Sequence, residues 1–176
     1  MRGIEQIPRT AMEVFKMLPE GTLCEVIDNV LYMSPAPTPN HQDVLADIIS
    51  LLRIYTRQNS LGKAYCSPID VFLDEEKNAV QPDILFIKAE NIDIVKDKAI
   101  HGVPDLIIEL LSSNKTHDTQ LKYSLYEDKG VKEYIIVDPE TKETWQYVLQ
   151  NDKYIAQPIA ENGKIHINLL NFTIEF

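Results

Sequence analysis

Only two cysteines occur in the 176 residues, Cys24 and Cys66, far apart and without CxxC spacing. That excludes a disulfide framework and a cysteine-rich zinc module, and it fits a reducing compartment. No apolar stretch approaches the ~20 residues that a membrane helix needs. The opening Met1-Arg2-Gly3-Ile4-Glu5-Gln6-Ile7-Pro8 has no apolar core of a secretion signal. The expectation is a cytoplasmic protein with no membrane partner. Positive charge is also scarce: 17 basic against 27 acidic residues give a formal charge of −10. Such a balance disfavours a wrapping, sequence-independent grip on nucleic acid, so a nucleic-acid role would need a local basic patch or bound divalent cations. The few glycines form neither GxxxxGK[ST] nor GxGxxG, no serine sits in a nucleophile elbow, and His101, His117 and His166 lack metal-ligand spacing.

What is present reads as one globular domain, residues 1–176. At 44% hydrophobic and 25% charged, the chain can bury a sizeable core without staples. A short helix is expected over 10–18, ending at Pro19-Glu20-Gly21, and a hairpin over 23–33 turning at Asp28-Asn29. After the extended Ser34-Pro35-Ala36-Pro37-Thr38-Pro39, Asn40 is expected to cap a helix running to about Asn59. Its stripe is Val44, Ile48, Leu51, Leu52 and Tyr55. Strand-like runs follow at 64–73, 80–87 and 104–112, with a polar connection over 88–102. A helix over roughly 116–129 closes on Gly130, and Tyr134-Ile135-Ile136-Val137 reads as a strand covered on both faces. The tail 141–176 reads as more strands. Helix, three strands, helix, strand, with extra β at both ends, is an α/β domain.

Two carboxylates interrupt this pattern. Asp83 opens Ile84-Leu85-Phe86-Ile87, and Glu109 sits inside Leu106-Ile107-Ile108-Glu109-Leu110-Leu111. An ionised carboxylate buried there without a partner costs several kcal/mol or takes up a proton. A shared hard cation would compensate both, with the Leu110 carbonyl as a further donor. Alternatively, each acid ends a strand in solvent or pairs with a lysine, and the pattern leaves both open. On the second helix Asp118, Lys122 and Tyr126 fall at i, i+4 and i+8, one row beside the core row Leu121-Leu125. Lys122 could reach the end of the sheet and orient a water there, or it could form a surface pair with Asp118.

Taken in order, these stretches resemble the Uma2 family, a domain of unknown function within the PD-(D/E)XK restriction-endonuclease-like nuclease superfamily. The resemblance rests on Glu25 to Pro35, His41-Gln42, Gln81-Pro82-Asp83-Ile84, Pro104 to Ser112, the row Asp118-Lys122-Tyr126, and Gly130 to Pro139. It implies a restriction-endonuclease-like core with a mixed sheet flanked by helices, an N-terminal hairpin and a C-terminal β extension. It makes Asp83 the acid of the PD motif and Glu109 that of the (D/E)XK motif. The motif's lysine position holds Leu111, so the resemblance implies either that Lys122 has taken over the role or that the site is impaired. Glu25 matches an acidic position of the family's hairpin and could be a further metal or water ligand, or a solvated strand residue. His41 could contact phosphate or move a proton, or be structural. Asp70 could support the acids or face outward.

The expected activity is metal-dependent hydrolysis of phosphodiester bonds. Asp83, Glu109 and Leu110 would hold Mg²⁺ or Mn²⁺, and Lys122 would position the water. DNA and a homodimer are implied by resemblance alone. Arg53, Arg57, Lys63, Lys115, Lys122 and Lys129 are candidates for a basic patch. Trp145, Tyr147, Tyr154, Phe172 and Phe176 are candidates for a dimer contact or for core packing. The rival expectation is a nuclease-like fold kept as a binding or assembly module without turnover.

Overall fold

The structure is a computed structural model that describes residues 7–112, 115–158 and 160–176, and of 115–119 the helical backbone only. Thr10 accepts a hydrogen bond from the Glu13 amide and starts α1 (Ala11–Phe15). The expected hairpin follows as β1 (Cys24–Ile27) and β2 (Val30–Met33). Its turn residues Asp28 and Asn29 sit at φ 48° and 61°, the left-handed region that asparagine and aspartate tolerate best.

Helix α2 (Pro39–Gln58) begins earlier than expected. Thr38, not Asn40, is the cap and accepts from the His41 amide, while Pro39 takes the first position, where a missing N–H costs nothing. Asn40 instead donates to the Pro139 carbonyl and to Glu140. The helix buries Val44, Leu45, Ile48, Ile49 and Leu52, each worth ~1.5–3 kcal/mol of apolar burial if fully covered.

Beyond it come β3 (Gly62–Cys66), β4 (Val71–Phe72), β5 (Ala79–Val80), β6 (Ile84–Lys88), a 3-10 turn over Ala89–Ile94, β7 (Ile100–His101) and β8 (Leu106–Leu110). The expected runs 64–73 and 80–87 therefore each break in two. Pro68 and Pro82 stand at the breaks, where a residue with no N–H cannot continue the ladder. Asp70 lies between strands rather than within one. Then follow α3 (Lys115–Lys129), β9 (Glu133–Val137), β10 (Thr144–Gln150), β11 (Lys153–Ala156), β12 (Lys164–Ile167), a 3-10 turn over Asn168–Leu170 and β13 (Phe172–Glu175).

The main sheet has the order β11-β10-β9-β8-β6-β3. Its neighbours are antiparallel except β8 and β9, so it is mixed. Alternation along its central strands feeds two apolar layers. Ile84, Phe86, Leu106, Ile108, Ile135 and Val137 face α2 and the β12–β13 hairpin. Leu85, Ile87, Ile107, Tyr134 and Ile136 face Leu125 and Tyr126 of α3 and part of a smaller sheet ordered β2-β1-β5-β4-β7. The core order α2, β3, β6, β8, α3, β9 is the expected helix, three strands, helix, strand, in a mixed α/β fold. The C-terminal aromatics pack within the chain. Tyr147 and Tyr154 meet Tyr123 and Tyr134, Phe172 stacks on Tyr55 at 3.8 Å, and Trp145 and Phe176 rest against the two cores.

Candidate active site

The antiparallel register of β6 and β8 pairs Ile84 with Ile108, so one step further Asp83 stands across from Glu109. Asp83 Oδ2 accepts from the Leu110 amide at 2.8 Å, and His41 Nε2, in the first turn of α2, lies 3.3 Å from the same oxygen. Glu109 shares the strand face of Ile107 and points toward α3. Lys122 and Tyr126, one helical turn apart on α3, both reach its Oε1. The Lys122 ammonium is at 3.1 Å, and the Tyr126 hydroxyl donates at 2.7 Å. Lys122 Nζ is also 3.0 Å from Glu25 Oε2 on β1. The other oxygen of Glu25 accepts from the Gln81 amide at 2.8 Å, and the Gln81 carboxamide donates to the Thr22 carbonyl and to Asp70 Oδ1.

Glu25, Asp83, Glu109 and Lys122 thus converge from β1, the start of β6, β8 and α3. Glu25 is buried, not a solvated strand residue, and Lys122 is buried, not on the surface. The side chain of Asp118 lies outside the described residues. Among the described residues Asp70 meets the cluster through Gln81. Leu111 packs against the apolar layer below α3, so the ammonium comes from the helix and not from β8. Of the proposed basic patch, Lys122 is engaged by carboxylates, Lys129 pairs with Asp74 at 3.1 Å, and the side chain of Lys115 lies outside the described residues.

Burial dominates the electrostatics. It pushes the Glu109 carboxyl up to about 8, with Asp83 and Glu25 adding to the rise while Lys122 and the Tyr126 hydroxyl oppose it. Burial likewise raises Tyr126 well above the usual phenol range. The hydrogen bond to Asp83 raises His41 against the opposing effect of burial. The Asp83 and Glu109 charges and the Leu110 carbonyl add to the rise. His41 Nδ1 is buried and, among the described residues, has no hydrogen-bond partner. Among the described residues no three His, Cys, Asp or Glu side chains form a metal-holding group. The oxygen donors on hand are the two opposed carboxylates and the Leu110 carbonyl.

Sequence reasoning reached Asp83, Glu109, Lys122, Tyr126, Glu25 and His41. Gln81 carries no role in the sequence pattern, and only the meeting of β1 with the end of β5 shows that its amide fixes Glu25.

A family model described as "Uma2: Putative restriction endonuclease" matches residues 11–175. The chain belongs to the Uma2 family. Among solved structures, this Uma2 chain is similar to one described as a putative nuclease belonging to DUF820 from Anabaena variabilis ATCC 29413. The TM-score is 0.73 at 18% identity, over 93% of this chain and 92% of that one. That likeness shows a shared fold. No curated protein matches the Uma2 chain. Among the described residues no helix is long and apolar enough to cross a membrane.

Proposed function

We propose that this Uma2 chain is a metal-dependent endonuclease that hydrolyses phosphodiester bonds, with DNA as substrate, working in the cytoplasm as a homodimer. One observation carries the reading: buried Glu25 and Glu109 both hold the Lys122 ammonium, and half-buried Asp83 stands across from Glu109, near enough to disfavour its ionisation. Against Lys122, full ionisation of the three carboxyls would leave two negative charges in excess with His41 neutral and one with His41 protonated, and a divalent cation offsets either. The donor chemistry fits as well, since two carboxylates and a carbonyl are hard oxygen ligands of the kind Mg²⁺ or Mn²⁺ takes while keeping several waters. The family's description as restriction endonucleases supports the same choice of ion and substrate.

Asp83, Glu109 and the Leu110 carbonyl would hold the ion. Bound there, it would supply a Lewis acid and acidify a coordinated water. Lys122, fixed between Glu25 and Glu109, orients the attacking water and offsets charge that develops on the phosphate. Tyr126 holds the Glu109 carboxyl in place. Glu25 keeps Lys122 aimed. His41, held toward its protonated form by Asp83, sets a positive group at the start of α2, where a substrate phosphate would lie. Cutting both strands of a duplex takes two such sites, hence the homodimer, which sedimentation would report as twice the chain mass.

The test is cleavage of supercoiled plasmid and of single-stranded DNA with Mg²⁺ or Mn²⁺, beside Glu109→Gln and Lys122→Ala. Metal-dependent cutting by the wild type, lost in both variants, supports the reading. Equal cutting by all three, or none by the wild type on either substrate, contradicts it.

A further inference from the structure

Away from the carboxylate cluster, a cleft of about 620 Å³ opens between the C-terminal half of α2 and β3, with Arg53, Thr56, Arg57, Lys63, Tyr65 and Ile92 among its walls. Strand β3 is the last strand of the main sheet, so one side of the cleft is a sheet edge. Arg53 and Arg57 are one helical turn apart and share a face of α2, and Lys63 joins them from the strand that follows the helix. All three are exposed, and among the described residues none of them forms an ion pair; Arg9, Lys77, Lys96, Lys132 and Lys142 form none either, but none of those is among the cleft's lining residues. In a chain where acids outnumber bases 27 to 17, three unneutralised cations around one concavity stand out against the charge balance. They repel one another, and an anion seated among them would relieve that repulsion. Tyr65 and Ile92 give the cleft an apolar wall against which a sugar or base can rest.

The cleft also lies in a useful direction. Helix α2 starts at the cluster, where His41 meets Asp83, and at ~1.5 Å per residue Arg57 lies about 24 Å further along. Lys63 is nearer, about 10 Å along β3 from Cys66, at ~3.3 Å per residue, and Cys66 pairs with Ile84 next to Asp83. At ~3.4 Å per base pair, a duplex running from cluster to cleft needs roughly seven base pairs.

We propose that this cleft is a second nucleic-acid contact, which grips backbone phosphates of a DNA strand several nucleotides from the phosphate at the carboxylate cluster. The choice of DNA over other polyanions rests on the nuclease reading. Because the site is local, a chain of net charge −10 can hold DNA without a basic surface overall.

The test is fluorescence anisotropy of a labelled 20-base-pair duplex, in a Glu109→Gln background so that no cutting intervenes, against Arg53→Ala/Arg57→Ala/Lys63→Ala in the same background. The expected result is a rise in Kd of at least tenfold in the triple variant. The slope of log K against log[salt] should shrink by about 2 to 3, since each lost phosphate contact removes ~0.9. Lys96→Ala, outside the cleft, should bind like its parent. Arg53→Lys/Arg57→Lys, which keeps the charge, should retain most of the affinity, and unchanged circular dichroism shows that the triple variant folds. Equal duplex binding by triple variant and parent, no duplex binding by the parent, or full competition by a mononucleotide at matched phosphate concentration each overturns the proposal. Metal-dependent plasmid cutting by the wild type, scored separately, tells this failure from failure of the nuclease reading. Cutting with an indifferent cleft removes the cleft alone, and cleft-dependent binding without cutting removes the nuclease alone.

Discussion

Two glutamates are buried on neighbouring strands of the same sheet, Glu109 on β8 and Glu133 on β9, and they sit on opposite faces in opposite company. Glu133 accepts from the Gln146 carboxamide, the Asn168 amide at 2.8 Å, the Asn168 side chain at 3.3 Å and the Leu169 amide at 2.7 Å. Every one of those donors is neutral and held by local structure, so the charge is solvated by the protein and ties β9 to the turn before β13. Glu109 instead meets Lys122 and Tyr126, with Asp83 and Glu25 close enough to disfavour its ionisation. A carboxylate ringed by fixed amides is finished; one ringed by other ionisable groups is open to a change of partner. Burial alone does not tell the two acids apart. The kind of neighbour does.

The sharpest way to break this contrast is to neutralise each acid in turn. Glu109→Gln should lower metal-dependent cleavage by at least a thousandfold in a plasmid assay. Its thermal midpoint at pH 9 should stay level or rise, because Lys122 keeps Glu25 as partner and a costly buried charge is gone. Glu133→Gln should do the reverse. It sets an amide NH₂ against amide donors and costs about 2–3 kcal/mol, a fall in midpoint of roughly 5–10 °C by calorimetry. Its cleavage rate per folded molecule should be that of the wild type.

A second, smaller contrast is in pH. Because burial lifts Glu109 from 4.5 to about 8, its contribution to stability is complete below about 4.5 and is lost as pH rises through about 8. Midpoints measured in EDTA should therefore show Glu109→Gln gaining on the wild type between pH 5 and pH 9. A flat difference would mean that Glu109 is not held protonated. The smallest effects belong to single supporting groups. Gln146→Ala should cost about 1 kcal/mol and leave cutting unchanged. Tyr126→Phe, which removes a bond that favours ionised Glu109, should move the alkaline-rising limb of the cleavage profile to higher pH.

Much of this was legible before any coordinates, for reasons that can be named. Asp83 and Glu109 stood out because an acid in an unbroken apolar strand has no cheap resting state. Lys122 and Tyr126 stood out because helical spacing set them in one row. The same logic did not separate Glu133 from its surroundings, since its partners Gln146, Asn168 and Leu169 arrive from later strands and turns that no local pattern connects to β9. The start of α2 is not fixed by sequence, since Thr38 and Asn40 are both good caps and only the His41 amide decides between them. Two strands are shorter than their apolar runs suggest, because the runs continue past Pro68 and Pro82 while the missing N–H ends the ladder there. Whether Arg53, Arg57 and Lys63 act together depended on the path of the chain from α2 into β3, which brings the last turn of the helix beside an edge strand.

The central claim is that Asp83 and Glu109 form a cation site whereas Glu133, more deeply buried, does not. Calorimetric midpoints with Mn²⁺ against EDTA test it directly. At a hundredfold excess over Kd the ion should add about 2.7 kcal/mol, roughly 5–10 °C, to the wild type and by the same margin to Glu133→Gln. Asp83→Ala and Glu109→Gln should show no rise. An equal rise in all four proteins, or none in the wild type, would contradict the account.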